Sequence, residues 1–423
     1  MRFQPRIVLN HSLLFIAATS AVAGSLAMAI EAKPEAEVSV EEKSDHPYPL
    51  AVQGPKPKPI TAPTEDAILE GITRGVDYLL ENQRKNGAWG GPQRTKSLNI
   101  YAPVPGAHLA FRMGSTSLAI GGLCEARELY TGDRRKEIEA SIDRAQEWLL
   151  KDGGQLRRAD GTALYNVWGH AFGTAAIVKL HERAVGDKEL QAKLKELVQY
   201  QVDRLERYTF VNGGWGYYDF DIHSRVPAGS PTSFTTATCL IALKDAEKLG
   251  VKYPERLAKK GIDSILRQRL PDFSYAYGEY LRMMPRFDIN RPAGSLGRSQ
   301  VCNLALRMYG REEVTNEVLK TWLDRLYARN GWLSIGRKYP VPHESHFGVA
   351  GYFYYYGHYY AAMCIDELPL EERPHFQAHL ANILLPLQEK DGSWWDYPLY
   401  DYHYSADTGM AISSLLRCQK SAE

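Results

Sequence analysis

The chain has 423 residues, 51 basic and 50 acidic side chains, a formal net charge of +1 and 44% hydrophobic residues. A charge this balanced, with no basic stripe, excludes a general nucleic-acid binder. The five cysteines are an odd number, which excludes a fold stapled entirely by internal disulfides, and the hydrophobic fraction is enough for a large core.

In chain order, Met1–Ala29 places Arg2 and Arg6 before an apolar stretch from Leu13 and ends on Ala27-Met28-Ala29. A basic start, an apolar centre and a small-x-small close form a signal peptide, so an exported protein, periplasmic or extracellular, is expected. The segment contacts a membrane only if it stays uncleaved as an anchor. Its removal takes away two positive charges and leaves the chain near −1. Residues 30–63 follow, and 33–63 hold seven of the 23 prolines among Glu and Lys with few large apolar residues. That composition buries too little to offset ordering and predicts a disordered linker. The folded domain is expected over 64–423. Within it Cys124, Cys239, Cys302, Cys364 and Cys418 each sit in an Ala/Leu-rich segment, as small unpaired hydrophobes do.

Self-similarity organises the domain. One segment type is a helix ending in Gln and aromatic residues, at 75–90, 145–156, 200–218, 262–277, 323–334 and 384–395. Between Gln83 and Gln388 the six copies recur at about 61 residues. A second type, rich in Ala, Gly, Ser and Thr, follows each at 116–129, 172–184, 235–250, 298–310, 357–368 and 407–419. Its apolar residues fall at helical spacing. Six such pairs, the small-residue helices packing closely on one another, predict an all-α fold, an α6/α6 toroid with those helices as the inner ring. The final pair keeps the full pattern, so a closed ring is favoured over an open solenoid, which needs polar end caps.

Here the chain resembles the terpenoid cyclase and protein prenyltransferase superfamily, through Gln83-x5-Trp89 and Gln388-x5-Trp394 and four looser copies over about residues 65–419. The Gln-Trp element itself is expected to be structural, its amide and indole N–H satisfying helix ends. In the cyclases of that superfamily the resemblance points to an Asp-x-Asp-Asp-Thr-Ala motif with a protonating central Asp. The matching stretch here, Tyr404-Ser405-Ala406-Asp407-Thr408-Gly409, keeps only the last acid and the Thr. Cyclase chemistry is therefore not expected. In the prenyltransferases the resemblance implies a zinc site, whose counterpart would be Glu344, His346 and Asp407 with His403 beside it. The residue order is altered and no Cys is at hand, so the expectation is no cofactor, with zinc as the alternative. An exported protein would not meet the diphosphate donor of prenyl transfer, and no Gly-rich phosphate loop is present.

Loops before the inner helices should ring one mouth, so Asp407, His403, Glu344 and His346 are the candidate catalytic centre. Aromatic residues are dense from Tyr352 to Tyr360 and from Trp394 to Tyr404. Tyr352, Tyr355, Tyr356 and Tyr359 share a helix face and, with Trp215, Tyr217, Asp221 and Trp395, are the candidate ligand-binding set. The functions these residues support are binding of a hydrophobic or isoprenoid-type molecule or a protein partner, an isoprenoid- or hopanoid-modifying enzyme centred on Asp407, or a glycan lyase or hydrolase using Asp219, Asp221 and Asp407.

Overall fold

The computed structural model describes residues 46–93, 105–220 and 225–419; the expected signal peptide and the first part of the linker lie outside them. Helices α1(Glu65–Glu81), α2(Pro105–Ala126), α3(Gly132–Asp152), α4(Asn166–Arg183), α5(Lys188–Arg207), α6(Ser233–Glu247) and α7(Glu255–Gln268) alternate between an outer and an inner layer. They are followed by α8(Leu296–Met308), α9(Asn316–Ala328), the short α10(Asn330–Ser334), α11(Tyr354–Asp366), α12(Arg373–Leu384) and α13(Tyr402–Leu416). The inner helices are α2, α4, α6, α8, α11 and α13. Each packs on the next, and α13 packs on α2, which closes the ring. The expected all-α toroid is what forms, with six helix pairs among the described residues. No strand occurs there, only three isolated bridges between loops.

Small residues explain the closeness of the inner ring. A Cβ on Gly122 of α2 would lie 2.9 Å from the Gly409 carbonyl oxygen of α13, and one on Gly357 of α11 would lie 2.6 Å from Gly297 Cα of α8. No side chain fits at either crossing. The five cysteines are buried and unpaired within this core.

The outer helices are tied to the inner ones by the Gln-Trp turn. Trp89, Trp215 and Trp394 are each fully buried. Their indole N–H groups donate to the carbonyls of Leu79, Leu205 and Leu384 at 2.7, 2.8 and 2.9 Å, capping the outer-helix ends. Their backbone N–H groups donate to the hydroxyls of Thr116, Thr236 and Thr408 on the next inner helix, at 2.9–3.0 Å. Gln83 and Gln388 close the same turn by donating to Gly87 and Gly392 carbonyls, both at 2.9 Å. Those glycines have φ of 87° and 90°, a left-handed conformation that costs Gly little. The structural expectation for this element therefore holds, and Trp215, assigned above to a ligand, belongs to it.

Two expectations are corrected. The linker is held from His46 onward: Ala51 is buried, Arg325 donates to the Leu50 carbonyl at 2.8 Å and to that of Gln53 at 2.5 Å, and Lys56 pairs with the buried Asp324 at 2.5 Å. Backbone carbonyls and one ion pair, which composition does not reveal, add to the apolar packing of Tyr48, Ala51 and Val52 on the core. The inner helices also begin earlier than their small-residue runs, so His403 and Asp407 lie inside α13 and His170 inside α4, where it bonds Gln201 at 2.5 Å. Helix α1 is capped by Thr64, whose hydroxyl accepts from the Ala67 N–H at 3.2 Å. Among the described residues no helix is long and apolar enough to cross a membrane.

Gly357→Ala is expected to destabilise the domain by about 1–3 kcal/mol through overpacking at the α8–α11 crossing. Gly114→Ala is the control: its Cβ meets only Phe172 Cδ2, at 3.9 Å, and the change should stabilise by roughly 0.5–1 kcal/mol through helix propensity. Urea denaturation midpoints read both, and equal shifts would contradict the close crossing.

Candidate functional site

The N-terminal halves of the inner helices and the loops before them enclose a cavity of about 390 Å³. Its wall is mainly aromatic: Phe111, Trp168, Phe234, Tyr277 and Phe353 join Tyr217, Tyr352 and Tyr356. The tyrosine hydroxyls do not point freely into this space. Tyr217 and Tyr277 bond each other, Tyr277 and Tyr352 lie 3.3 Å apart, and Tyr352 reaches His343 Nε2 at 3.0 Å. Tyr356 bonds the Thr238 hydroxyl at 2.8 Å and donates to the Phe234 carbonyl at 3.1 Å, and Tyr402 meets His108 at 2.8 Å.

Polar side chains interrupt the wall at Ser115, at His343 and at the pair His403 and Asp407. His403 and Asp407, four residues apart on one face of α13, both line the cavity. His403 Nδ1 lies 2.9 Å from Asp396 Oδ1 and 3.4 Å from Asp407 Oδ2. Asp396 is fully buried. Its other carboxylate oxygen accepts from the Tyr355 N–H in the first turn of α11 at 3.1 Å, where the helix dipole favours an anion. Its own N–H donates to Asp407 Oδ2 at 2.9 Å. Burial opposes the charge on His403, but the Asp407 and Asp396 carboxylates outweigh it and raise the His403 pKa to about 10. Burial, reinforced by Asp396, raises Asp407 well above the usual carboxylate range against the pull of His403.

A second histidine is in the opposite state. His343 sits at the cavity edge between the rings of Tyr277 and Tyr352, with φ at 67°, a strained conformation for a residue with a Cβ. Its Nδ1 is 2.7 Å from the Gly348 carbonyl, which can only accept, so Nδ1 carries the proton and Nε2 accepts from Tyr352. The side chain is exposed, yet desolvation against these neighbours lowers its pKa, the bond to Gly348 opposing and the Arg298 cation assisting.

Of the residues singled out from sequence, the structure brings together Asp407 and His403 in one cluster and Tyr217, Tyr352 and Tyr356 in the cavity wall. Glu344 and His346 are exposed on the loop before α11, where His346 packs on Trp332 with ring centroids 5.0 Å apart. The zinc grouping of Glu344, His346 and Asp407 does not form. Asp396, His403 and Asp407 do form a three-ligand group, with one donor atom each within 4.8 Å of the others. Its donor types suit zinc, and Asp396 would be the third ligand. Tyr355 and Tyr359 are buried but lie off the cavity wall. Trp395 stacks on Tyr404 at 4.8 Å, with Lys338 Nζ 4.4 Å over its ring, outside the cavity. Asp221 lies outside the described residues. Asp219 is fully buried and accepts from the Gly229 N–H at 3.0 Å, a loop-fixing role.

Asp396 was missed, and the repeat carried the signal. The second residue after Trp215, Tyr275 and Trp394 is Tyr217, Tyr277 and Asp396; the first two line the cavity and Asp396 bonds the lining His403.

No protein-family model matches the chain, and no curated protein matches its sequence. Solved structures do. An inactive variant of the GH76A alpha-1,6-mannanase of Salegentibacter sp. HEL1_6, in complex with alpha-1,6-mannotetrose, superposes with a TM-score of 0.50 at 12% identity, covering 83% of this chain and 98% of that one. A D-mannose isomerase gives 0.50 at 11% identity, covering 84% and 97%. The type II terpene cyclase MstE from Scytonema gives 0.43 at 14% identity, covering 84% and 98%. At these identities the likeness to the mannanase and the isomerase is one of fold, and the protein is an α/α toroid.

Because the folded pKa of His403, about 10, lies above its ordinary 6.5, its stabilising effect is full below pH 6.5 and is lost as pH rises through about 10. An NMR titration should place the His403 midpoint near 10 in the native protein and lower in Asp396→Asn. Between pH 6 and 10 the native protein should lose more stability than His403→Gln, and an equal loss would contradict the cluster.

Proposed function

We propose that this protein is exported and binds a hydrophobic, isoprenoid-type molecule in the aromatic cavity, its polar end at His403 and Asp407. One observation carries this: the hydroxyls of Tyr217, Tyr277, Tyr352 and Tyr356 in the wall are engaged with one another and with protein groups. What they offer a ligand is ring surface. A sugar would bring several hydroxyls into the cavity, each costing free energy if left unpaired; an isoprenoid brings none along its length. The volume, about 390 Å³, falls in the range of small-molecule sites. The carboxylates support the same choice. Asp396 and Asp407 meet at one imidazole nitrogen, on one side of the cavity, whereas glycoside hydrolysis needs two acids flanking the bond.

The protonated His403 beside Asp407 favours a second, compatible reading, in which the bound molecule is also modified. A cavity that keeps a proton on His403 holds a proton donor against the ligand, whereas both ring nitrogens of His343 are engaged by Gly348 and Tyr352. Conversion would then depend on the Asp407–His403 pair, and Asp407→Asn would abolish turnover while leaving the ligand bound.

Trp168 lies in the cavity wall and reports occupancy by fluorescence. Farnesol and geranylgeraniol should quench it saturably, and Gly114→Phe, which fills the cavity from a position with room for a side chain, should weaken binding at least tenfold without loss of fold. Saturable binding of a mannose oligosaccharide with no response to either alcohol would overturn the proposal.

A further inference from the structure

The loop before α8 presents an unusual surface. From Arg282 to Phe287 every residue is exposed, through Met283, Met284, Pro285 and Arg286, with Met283 at 82%. This loop is rigidly built. The fully buried Asn290 donates to the carbonyls of Leu281 and Met284 at 3.0 and 2.9 Å and accepts from the Tyr277 N–H at 2.9 Å. The buried Arg298 donates to the carbonyls of Ile289 and Gly294 at 2.5 and 2.9 Å. Two buried polar side chains thus hold a turn whose apolar groups face water, and exposed apolar surface of this kind marks an interaction site.

Its neighbours place it at the cavity mouth. Tyr280 and Phe220 both line the cavity and are 60% and 68% exposed, so the apolar tip continues into the cavity wall. Its charge is positive: residues 279–291 carry three arginines against two acids. Glu279 is taken by Arg267 at 2.6 Å as well as by Arg282 at 3.1 Å, and Asp288 by Arg291 at 3.7 Å. Apolar side chains interleaved with arginine fit the headgroup boundary of an anionic bilayer.

We propose that this loop docks the cavity mouth on an anionic lipid surface. Met283, Met284 and Phe287 enter the interfacial layer, and Arg282 and Arg286 meet lipid phosphates. Its purpose rests on the apolar-ligand reading, since a bilayer is where such a molecule is stored; the docking itself does not depend on what the cavity holds.

The test uses the full chain with Met283→Cys carrying an environment-sensitive dye. The native cysteines are buried, so the dye goes to the new thiol. A control dye sits at Val185→Cys, 84% exposed beyond the C-terminal end of α4, away from the mouth. With phosphatidylglycerol-containing vesicles the dye at 283 should brighten several-fold, shift blue and be quenched by nitroxides on the acyl chains, while the dye at 185 stays unchanged. Phosphatidylcholine vesicles, or the Arg282→Gln and Arg286→Gln pair, should cut the response several-fold, and Gly114→Phe should keep it, which separates this outcome from failure of the ligand proposal. No change at 283, or equal change at both positions, overturns the docking. A response that needs protein concentration and no vesicles overturns it in favour of a second copy of the chain.

Discussion

The structure depends on the closure of α13 against α2, made possible where Gly122 and Gly409 bring two backbones into contact. Without that crossing the six pairs would be an open stack with no common centre. With it, the N-terminal halves of the inner helices converge on one cavity, and His403 and Asp407 in the last helix face rings from the earlier pairs. The buried Trp turns serve the same end: each satisfies the carbonyl end of an outer helix and the hydroxyl of the next inner one, so the two layers are fixed in register.

Within that frame the chemistry is sharply divided. The wall uses tyrosine, a residue able to hydrogen-bond, and then spends that ability on tyrosine neighbours and on the backbone. The polar chemistry is concentrated in Asp396, His403 and Asp407, where two buried carboxylates around one imidazole keep a proton that bulk water would take at neutral pH. His343, at the cavity edge, is pushed the other way.

The fold was legible because its signals are local and repeated: Asn86-Gly87, Asn212-Gly213 and Asp391-Gly392 mark the turns, and Trp89, Trp215 and Trp394 follow two residues later. The starts of the inner helices were not. Helix α13 opens on Tyr402-His403-Tyr404 behind Asp401, which makes no side-chain cap, so nothing in the composition marks its beginning. The site was half legible. Asp407 and His403 share a helix face that spacing predicts, whereas Glu344 and His346 lie on a loop with positive φ at His343 and Phe347, where neighbouring residues turn different ways and spacing carries no geometry. Asp396 meets the cluster from the loop eleven residues before Asp407, a fold-back onto α13 that helix spacing does not describe.

The central claim is that the cavity holds an apolar molecule against an acid–imidazole pole. Native mass spectrometry of the purified full chain, with organic extraction of whatever it carries, tests this most directly. The claim predicts a non-covalent adduct of an isoprenoid-type molecule, released into organic solvent and missing from Gly114→Phe. A protein that emerges without an adduct, binds neither farnesol nor geranylgeraniol when they are added, and takes up a mannose oligosaccharide instead would contradict it.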